Sequence, residues 1–342
     1  MKHFPAIEYR HRRLLARLLA AMLVLLMPIG ISGCEKAEER EFFAMDAYMR
    51  IRVFGAPEGA LDEAADEIEA LSALLSATDE KSEIYALNHA EGKAMTVSPD
   101  AFDIIERGLE LSRELGGCFE LSLRPVSRAW GFTEDENRVP PESELRELLK
   151  LVGDERIVTD RAARTVALPA GFELDLGALA KGYAADRAKE RLSDAGVSAA
   201  LIDLGSSTIL AFGKKPDGSK WKIAVRDPMG GDTPAGTIEF DGGAISTSGG
   251  WERYFEGPDG QVYWHIIDPR TGAPARTGAY SVTVLTDDAL YGDALSTALF
   301  VMGPDGAKEY YEAHGDFEYL MFSEDGGMLM SPGMKGLFTP AG

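Results

Sequence analysis

In the stretch YGDALSTALFVMG, Asp293 and Thr297 stand four residues apart, so on a helix both side chains project from one face. A carboxylate and a hydroxyl one turn apart are hard oxygen donors of the kind Mg2+ prefers, and Ser296 lies beside them. The same spacing also describes an aspartate complementing a helix dipole and a threonine bonding its own backbone. A second stretch, ELDLGALAKGYAAD, puts Lys181 and Gly182 inside a helical run. Lys181 could meet a phosphate as a point charge. Gly182 costs about 1 kcal/mol against alanine in a helix, a cost that makes sense where something must approach the backbone closely. The plain alternative is a solvated lysine on a helix packed through small residues. The Gly-x-x-x-x-Gly-Lys spacing of a Walker loop is missing.

HIIDPRTGAP, His265 to Pro274, follows a strand-like VYW. The unperturbed pKa of a histidine suits proton transfer near neutral pH, and a structural hydrogen bond at the strand end is the competing role for His265. Asp268 and Arg270 are expected to shape the turn. AISTSGGWERYF reads as a strand followed by a Thr-Ser-Gly-Gly turn whose backbone N–H groups could face an anion. GGCFELSLRPVSRAWGF, Gly116 to Phe132, sets Phe119, Trp130 and Phe132 among glycines, which suits either a cradle for a planar ring or plain core.

The elements that must position these groups are legible in outline. Leu61, Ala65, Ile68, Leu71 and Leu75 recur at helical spacing. A second helix opens at SPDA, with Ser98 as N-cap and Pro99 at the first position. A third is expected from about Gly177 to Ser193 and a fourth from about Asp288 to Met302. MRIRVF, ALIDL, WKIAV, GTIEF, VYWHII, YSVTVLT and EYLMF read as strands, several joined by short turns such as the two PDG sequences at Pro216–Gly218 and Pro258–Gly260. The mixed order predicts an α+β fold, mixed or antiparallel sheets packed with helices, in a single large domain.

The N-terminal residues bear on compartment. Lys2, Arg10, Arg12, Arg13 and Arg17 precede an apolar run from Leu18 to Ile29, which ends in Ile-Ser-Gly-Cys at Cys34. A basic region, a short apolar region and small residues before a cysteine describe residues 1–33 as a signal peptide of the lipoprotein type, not a spanning helix. Lipidation of Cys34 would anchor the exported chain to a bacterial membrane, facing periplasm or exterior. Residues 34–44, with EKAEERE at Glu35–Glu41, are expected to form a charged tether, and residues 45–342 the domain. The whole chain carries a net charge of −21 and the removed segment +4, leaving about −25. Such acidity disfavours nucleic acid as partner. Once Cys34 is modified only Cys118 remains, so an internal disulfide is excluded.

Taken in order, MDAYMRI at Met45, LSATDEKSEIYALN, GGCFELSLRPVSRAWGF, DLGALAKGYAAD, IDLGSSTILAFGKKPDGSKWKIAVRDP, AISTSGGWERYF, HIIDPRTGAP and SVTVLTDDALYGDALSTALFVMG resemble the ApbE family, the FAD:protein FMN transferases. The resemblance spans essentially the whole domain. It implies Mg2+-assisted attack on the pyrophosphate of FAD, passage of FMN to a threonine hydroxyl of an acceptor protein, and release of AMP. The implied acceptors are FMN-binding domains or subunits of membrane redox complexes. By the same resemblance the metal ligands are Asp293, Thr297 and the Ala178 carbonyl, with Ser296 contributing in some members. The flavin contacts are Met45, Cys118, Phe119, Glu120, Lys181 and Ile267, and His265 belongs to the transfer step. Departures fall on the flavin side: Asp46 and Ala47 follow Met45 where Gly-Thr is common, Thr78 replaces an aromatic, Cys118 an alanine and Glu120 an aspartate. The same metal and flavin positions would serve an FAD pyrophosphatase, and a flavin-binding lipoprotein without chemistry is the non-enzymatic alternative.

Overall fold

Eight strands lie side by side in the order in which the chain makes them. The computed structural model describes residues 37–132, 137–231 and 233–341. Its large sheet comprises β1 (Ala37–Ala44), β2 (Ala47–Phe54), β3 (Ala199–Leu204), β4 (Thr208–Phe212), β5 (Gly243–Gly249), β6 (Ala279–Thr286), β7 (Glu318–Ser323) and β8 (Met328–Met330). Every neighbouring pair is antiparallel. Antiparallel neighbours need no crossover, so the long links between them are free to build other structure. The expected α+β class is what forms, and all seven predicted strand segments contain strand.

Between β2 and β3 come α1 (Ala60–Leu75), α2 (Glu83–Asn88), α3 (Pro99–Glu114), α4 (Arg124–Trp130) and α5 (Ala180–Asp194); α6 (Ala289–His314) joins β6 to β7. Ser98 caps α3 as its sequence predicts, its hydroxyl accepting from the Ala101 N–H at 3.3 Å. The predicted end of the last helix at Met302 coincides with a break: Gly303 has φ 74° and Pro304 follows. Pro304 has no N–H for the Phe300 carbonyl, and the Thr277 hydroxyl donates to that carbonyl instead, at 2.7 Å.

The sheet buries both faces, and strand periodicity sorts the residues. On β3, Ala200, Ile202 and Leu204 join the core beneath α1, α5 and α6. Ala199 and Leu201 face a separate core formed with the three-stranded sheet Trp221–Val225, Gly236–Phe240 and Phe338–Pro340.

Two expectations are corrected. Residues 34–44 are not a tether from Ala37 onward, because Ala37–Ala44 is the edge strand β1, in register with β2 from Ala37↔Phe54 to Ala44↔Ala47. Its charges have folded-state partners: Arg40 reaches Asp62 at 2.8 Å and Asp66 at 2.9 Å on α1, and Glu39 pairs with Arg52. A charged edge strand resists pairing with other chains, so the charge run protects an edge. The domain therefore includes β1; the expected signal peptide at residues 1–33, the expected lipidation site Cys34 and residues 35–36 lie outside the described residues. AISTSGG is likewise strand β5 as far as Gly249, not a turn at Thr247–Ser248.

Candidate active site

The β1–β2 hairpin turns through only two residues, Met45 and Asp46, with φ of 47° and 57°. That is the primed turn an antiparallel hairpin favours, made here without glycine at a cost of roughly 1–3 kcal/mol per strained residue. The Met45 N–H is held by Ser72 Oγ at 2.9 Å. The tip projects into a cavity of about 1010 Å³ that also receives the start of α5, the first turns of α6, β5 and the segment at His265. All ten residues singled out for the site line it: Met45, Cys118, Phe119, Glu120, Ala178, Lys181, His265, Ile267, Asp293 and Thr297.

The junction of α5 and α6 shows how the sequence builds this wall. An α-helical N–H at residue 182 would normally reach the carbonyl of residue 178. Gly182 N–H instead donates to Asp293 Oδ2 at 2.7 Å, which leaves the Ala178 carbonyl without that partner. The third helix accordingly starts at Ala180, not Gly177, and residues before it form an Asx turn with Gly177 N–H donating to Asp175 Oδ1 at 2.9 Å. Bracing is reciprocal: Asp186 on α5 accepts from the Ala289 and Leu290 N–H groups of α6 at 3.2 and 3.0 Å. Burial pushes the Asp186 carboxyl up to about 6. Gly182 is needed for the helix contact, since a Cβ there would collide with the Ala289 carbonyl and lie 2.7 Å from Leu290 Cα. A close approach of backbone is thus present, and the approaching group is another helix.

Asp293 is buried and its other oxygen accepts from Thr208 Oγ1 at 2.6 Å. Burial raises its pKa, opposed by the Thr208 hydrogen bond and by the charge of Lys181. Among the described residues it has no ion-pair partner; Lys181 Nζ donates to Ser207 Oγ. Alternation along β5 turns Ser246 and Ser248 toward α6, where Ser248 Oγ lies 2.8 Å from Ser296 Oγ and 3.1 Å from Thr297 Oγ1. Among the described residues no three His, Cys, Asp or Glu side chains form a metal cluster. The donors gathered here are of another kind: one buried carboxylate, a set of hydroxyls and a released carbonyl. Hard oxygens around a buried carboxylate that lacks an ion-pair partner among the described residues fit a small divalent cation.

His265 is half-buried, and its Nδ1 is sealed from solvent without a hydrogen-bond partner. Burial lowers its pKa to about 4, with the charges of Arg253 and Lys181 adding to the effect and a hydrogen bond to the Arg253 backbone opposing it. The imidazole is neutral at physiological pH. Asp268 does form the turn: it accepts from Arg270 N and Nε at 2.9 and 2.8 Å, and its carboxylate is gripped again by Arg270 Nη2.

Glu120, which also lines the cavity, is pushed up to about 8 by burial and by Asp154, whose N–H it accepts at 2.9 Å. Asp154 in turn accepts from Leu121 N and Ser122 N. Burial also raises the Cys118 thiol, so it stands as a free, protonated group. Trp130 and Phe132 belong to an aromatic core cluster with Phe255 and Tyr263, though Phe132 touches the cavity. Sequence reading missed the cavity's charged floor, where Glu173 pairs with Arg128 at 2.8 Å and with Arg124 at 3.4 Å. Two arginines four apart on a short helix were the available signal. It also missed Ser207, Thr208 and Ser248, whose hydroxyls show a role only when strands and helices meet.

Comparison with known proteins agrees with this architecture. The ApbE family model matches residues 45–321. An FAD:protein FMN transferase of Treponema pallidum is 35% identical over 301 residues, covering 80% of this chain and 82% of that protein. One from Klebsiella pneumoniae is 32% identical over 271 residues, covering 78% and 83%. Among solved structures, the ApbE protein of Thermotoga maritima superimposes with a TM-score of 0.83 at 31% identity, over 88% of this chain and 99% of that one. The apo flavinyl transferase ApbE of Pseudomonas stutzeri gives 0.79 at 28% identity, over 90% and 98%.

Proposed function

The chain belongs to the ApbE family, and from that membership we propose that it is an FAD:protein FMN transferase, moving FMN from FAD to a threonine hydroxyl and releasing AMP. The observation that supports this best is the diversion of the Gly182 N–H to Asp293, which leaves the Ala178 carbonyl without its helical partner in a cavity that Asp293 and Thr297 also line. A cavity of about 1010 Å³ has room for a dinucleotide. In this reading Asp293, Thr297 and the Ala178 carbonyl, with Ser296 alongside, would hold Mg2+. Bound there, Mg2+ supplies Lewis acidity and a template for the diphosphate oxygens.

The chain's own groups account for the remaining requirements. The first turn of α5 points its N-terminal dipole, and Lys181 its ammonium, toward a diphosphate in an otherwise acidic protein. Met45, Cys118, Phe119, Glu120 and Ile267 bound the flavin side. His265, neutral before substrate binds, takes the proton from the threonine hydroxyl as that oxygen bonds to the FMN phosphorus. The bond from this phosphorus to the oxygen it shares with the AMP phosphate breaks, and AMP leaves with that oxygen. A histidine near pKa 4 is a weak base, and the negative charge of a bound diphosphate raises it toward working range. The exported, lipid-anchored location is part of the proposal. It rests on the signal-like N-terminus and Cys34, and places the acceptors on the outer side of the same membrane. No helix among the described residues is long and apolar enough to cross a bilayer.

The test is incubation of the purified chain with FAD and Mg2+, with and without an acceptor domain. Covalent flavin fluorescence on the acceptor, with AMP released, is expected. FMN and AMP formed equally well without acceptor would make the protein a pyrophosphatase. FAD that stays intact in both mixtures would leave only a flavin-binding lipoprotein.

A further inference from the structure

Tyr85 and His89 sit one turn apart on α2 with their rings parallel, centroids 4.0 Å apart and planes 22° from each other. Tyr85 is half-buried, His89 is exposed, and both line the large cavity. We infer that this pair is the shelf on which a planar heteroaromatic ring of the bound dinucleotide stacks, an assignment that rests on the flavin-transfer reading.

Three observations carry it. First, the other aromatic side chains inside the cavity have little free face: Phe119 and Phe132 are 3% and 9% exposed. Phe43, on the edge strand β1, is exposed and already packs edge-to-face with Tyr48. Thr78 offers no ring, and its N–H is bound to Ser76 Oγ. Second, the shelf is held in advance. Ser82 Oγ caps the Tyr85 N–H at 2.9 Å, and His89 Nδ1 bonds the Tyr85 carbonyl at 2.8 Å, which fixes the tautomer and the ring plane. Asn88 bonds the Leu174 backbone in both directions, at 3.0 and 2.7 Å, tying α2 to the segment that leads to Ala178. Rings ordered before binding lose little entropy on binding. Third, the chain contains its own control. Tyr310 and His314 form the same stack, 4.0 Å and 21°, at the end of α6, and they do not line this cavity. The motif by itself is helix geometry; its position on α2 makes it a candidate contact.

FAD carries two planar rings, the isoalloxazine and the adenine, and FMN and ADP isolate them as probes. Stacking of a base on an aromatic side chain is worth about tenfold in affinity or more. We expect Tyr85→Leu to weaken binding of one probe about tenfold in the presence of Mg2+, with Tyr85→Phe within about twofold of wild type and Tyr310→Leu unchanged. FMN is followed by quenching of its fluorescence and ADP by calorimetry. A loss confined to FMN seats the isoalloxazine on the shelf, and a loss confined to ADP seats the adenine. His89→Leu serves as a second variant should Tyr85→Leu fail to fold, with the same direction and about threefold loss expected. If wild type binds FAD and neither variant changes either probe, the shelf is overturned and the transfer reading stands. If wild type binds neither FAD nor either probe, both fall.

Discussion

Replacing Asp293 by asparagine separates the two tasks of this carboxylate. In the native fold Oδ2 accepts from Gly182 N–H at 2.7 Å and Oδ1 from Thr208 Oγ1 at 2.6 Å. Asparagine keeps one oxygen for the Gly182 N–H, and the Thr208 hydroxyl can rotate to accept from the new amide. Loss of charge-assisted hydrogen bonding costs about 1.5–3 kcal/mol, while relief from burying a carboxylate works in the opposite direction. The net change in stability is expected within about 2 kcal/mol, or a few degrees in melting temperature. Alanine is different, because it leaves the Gly182 N–H and the Thr208 hydroxyl unpaired in a dry site. At about 1–3 kcal/mol for each, Asp293→Ala should destabilise by about 2–6 kcal/mol. For catalysis, removing the only carboxylate of the proposed cation site should lower transfer by about a thousandfold or more. The assay is covalent flavin fluorescence on an acceptor domain across a Mg2+ titration, beside a thermal melt of each variant. Asp293→Asn that keeps native turnover with an unchanged Mg2+ dependence would refute the cation site, whatever the melts show.

Three further outcomes test other parts of the account. His265 has a folded pKa of about 4 against an ordinary 6.5, so its protonation opposes folding. Its contribution is fully present above pH 6.5 and is lost as pH falls toward 4, by about 3 kcal/mol at most. Urea unfolding of His265→Asn should therefore show a flatter acid limb than wild type, and parallel limbs would contradict the burial argument. Gly182→Ala sets a methyl against the Ala289 carbonyl and should cost about 3 kcal/mol by forcing α5 and α6 apart, read as a lower melting temperature. Cys34→Ser should abolish incorporation of labelled fatty acid; unchanged labelling would refute Cys34 as the lipidated residue.

Local rules reach a definite depth in this chain. The Ser98-Pro99 start of α3, the stripe of α1 and the stop at Gly303-Pro304 are decided by neighbouring residues, because caps, periodicity and a missing N–H act over a few positions. The ordered motifs from Met45 to Gly303 likewise identify the family, and the ten residues named from them as metal, flavin and transfer positions line one cavity, whereas Ser296 and Trp130 do not. Charge patterning was misleading from Ala37 to Glu41, since an edge strand and a tether share the same composition and only pairing with β2 distinguishes them. Spacing alone leaves Asp293 open between dipole partner and ligand. The tertiary fold gives its carboxylate the N–H at Gly182 and so frees a carbonyl 115 positions upstream. Packing likewise accounts for Gly182, whose missing side chain admits a second helix. The floor of Arg124, Glu173 and Arg128 and the hydroxyls of Ser207, Thr208 and Ser248 come from segments distant in the chain. Sequence determines which groups are present and how each short segment is shaped. Which donor meets which acceptor across the helix and strand contacts is decided by three-dimensional packing, because a buried polar group must find its partner wherever the fold brings one within about 3 Å.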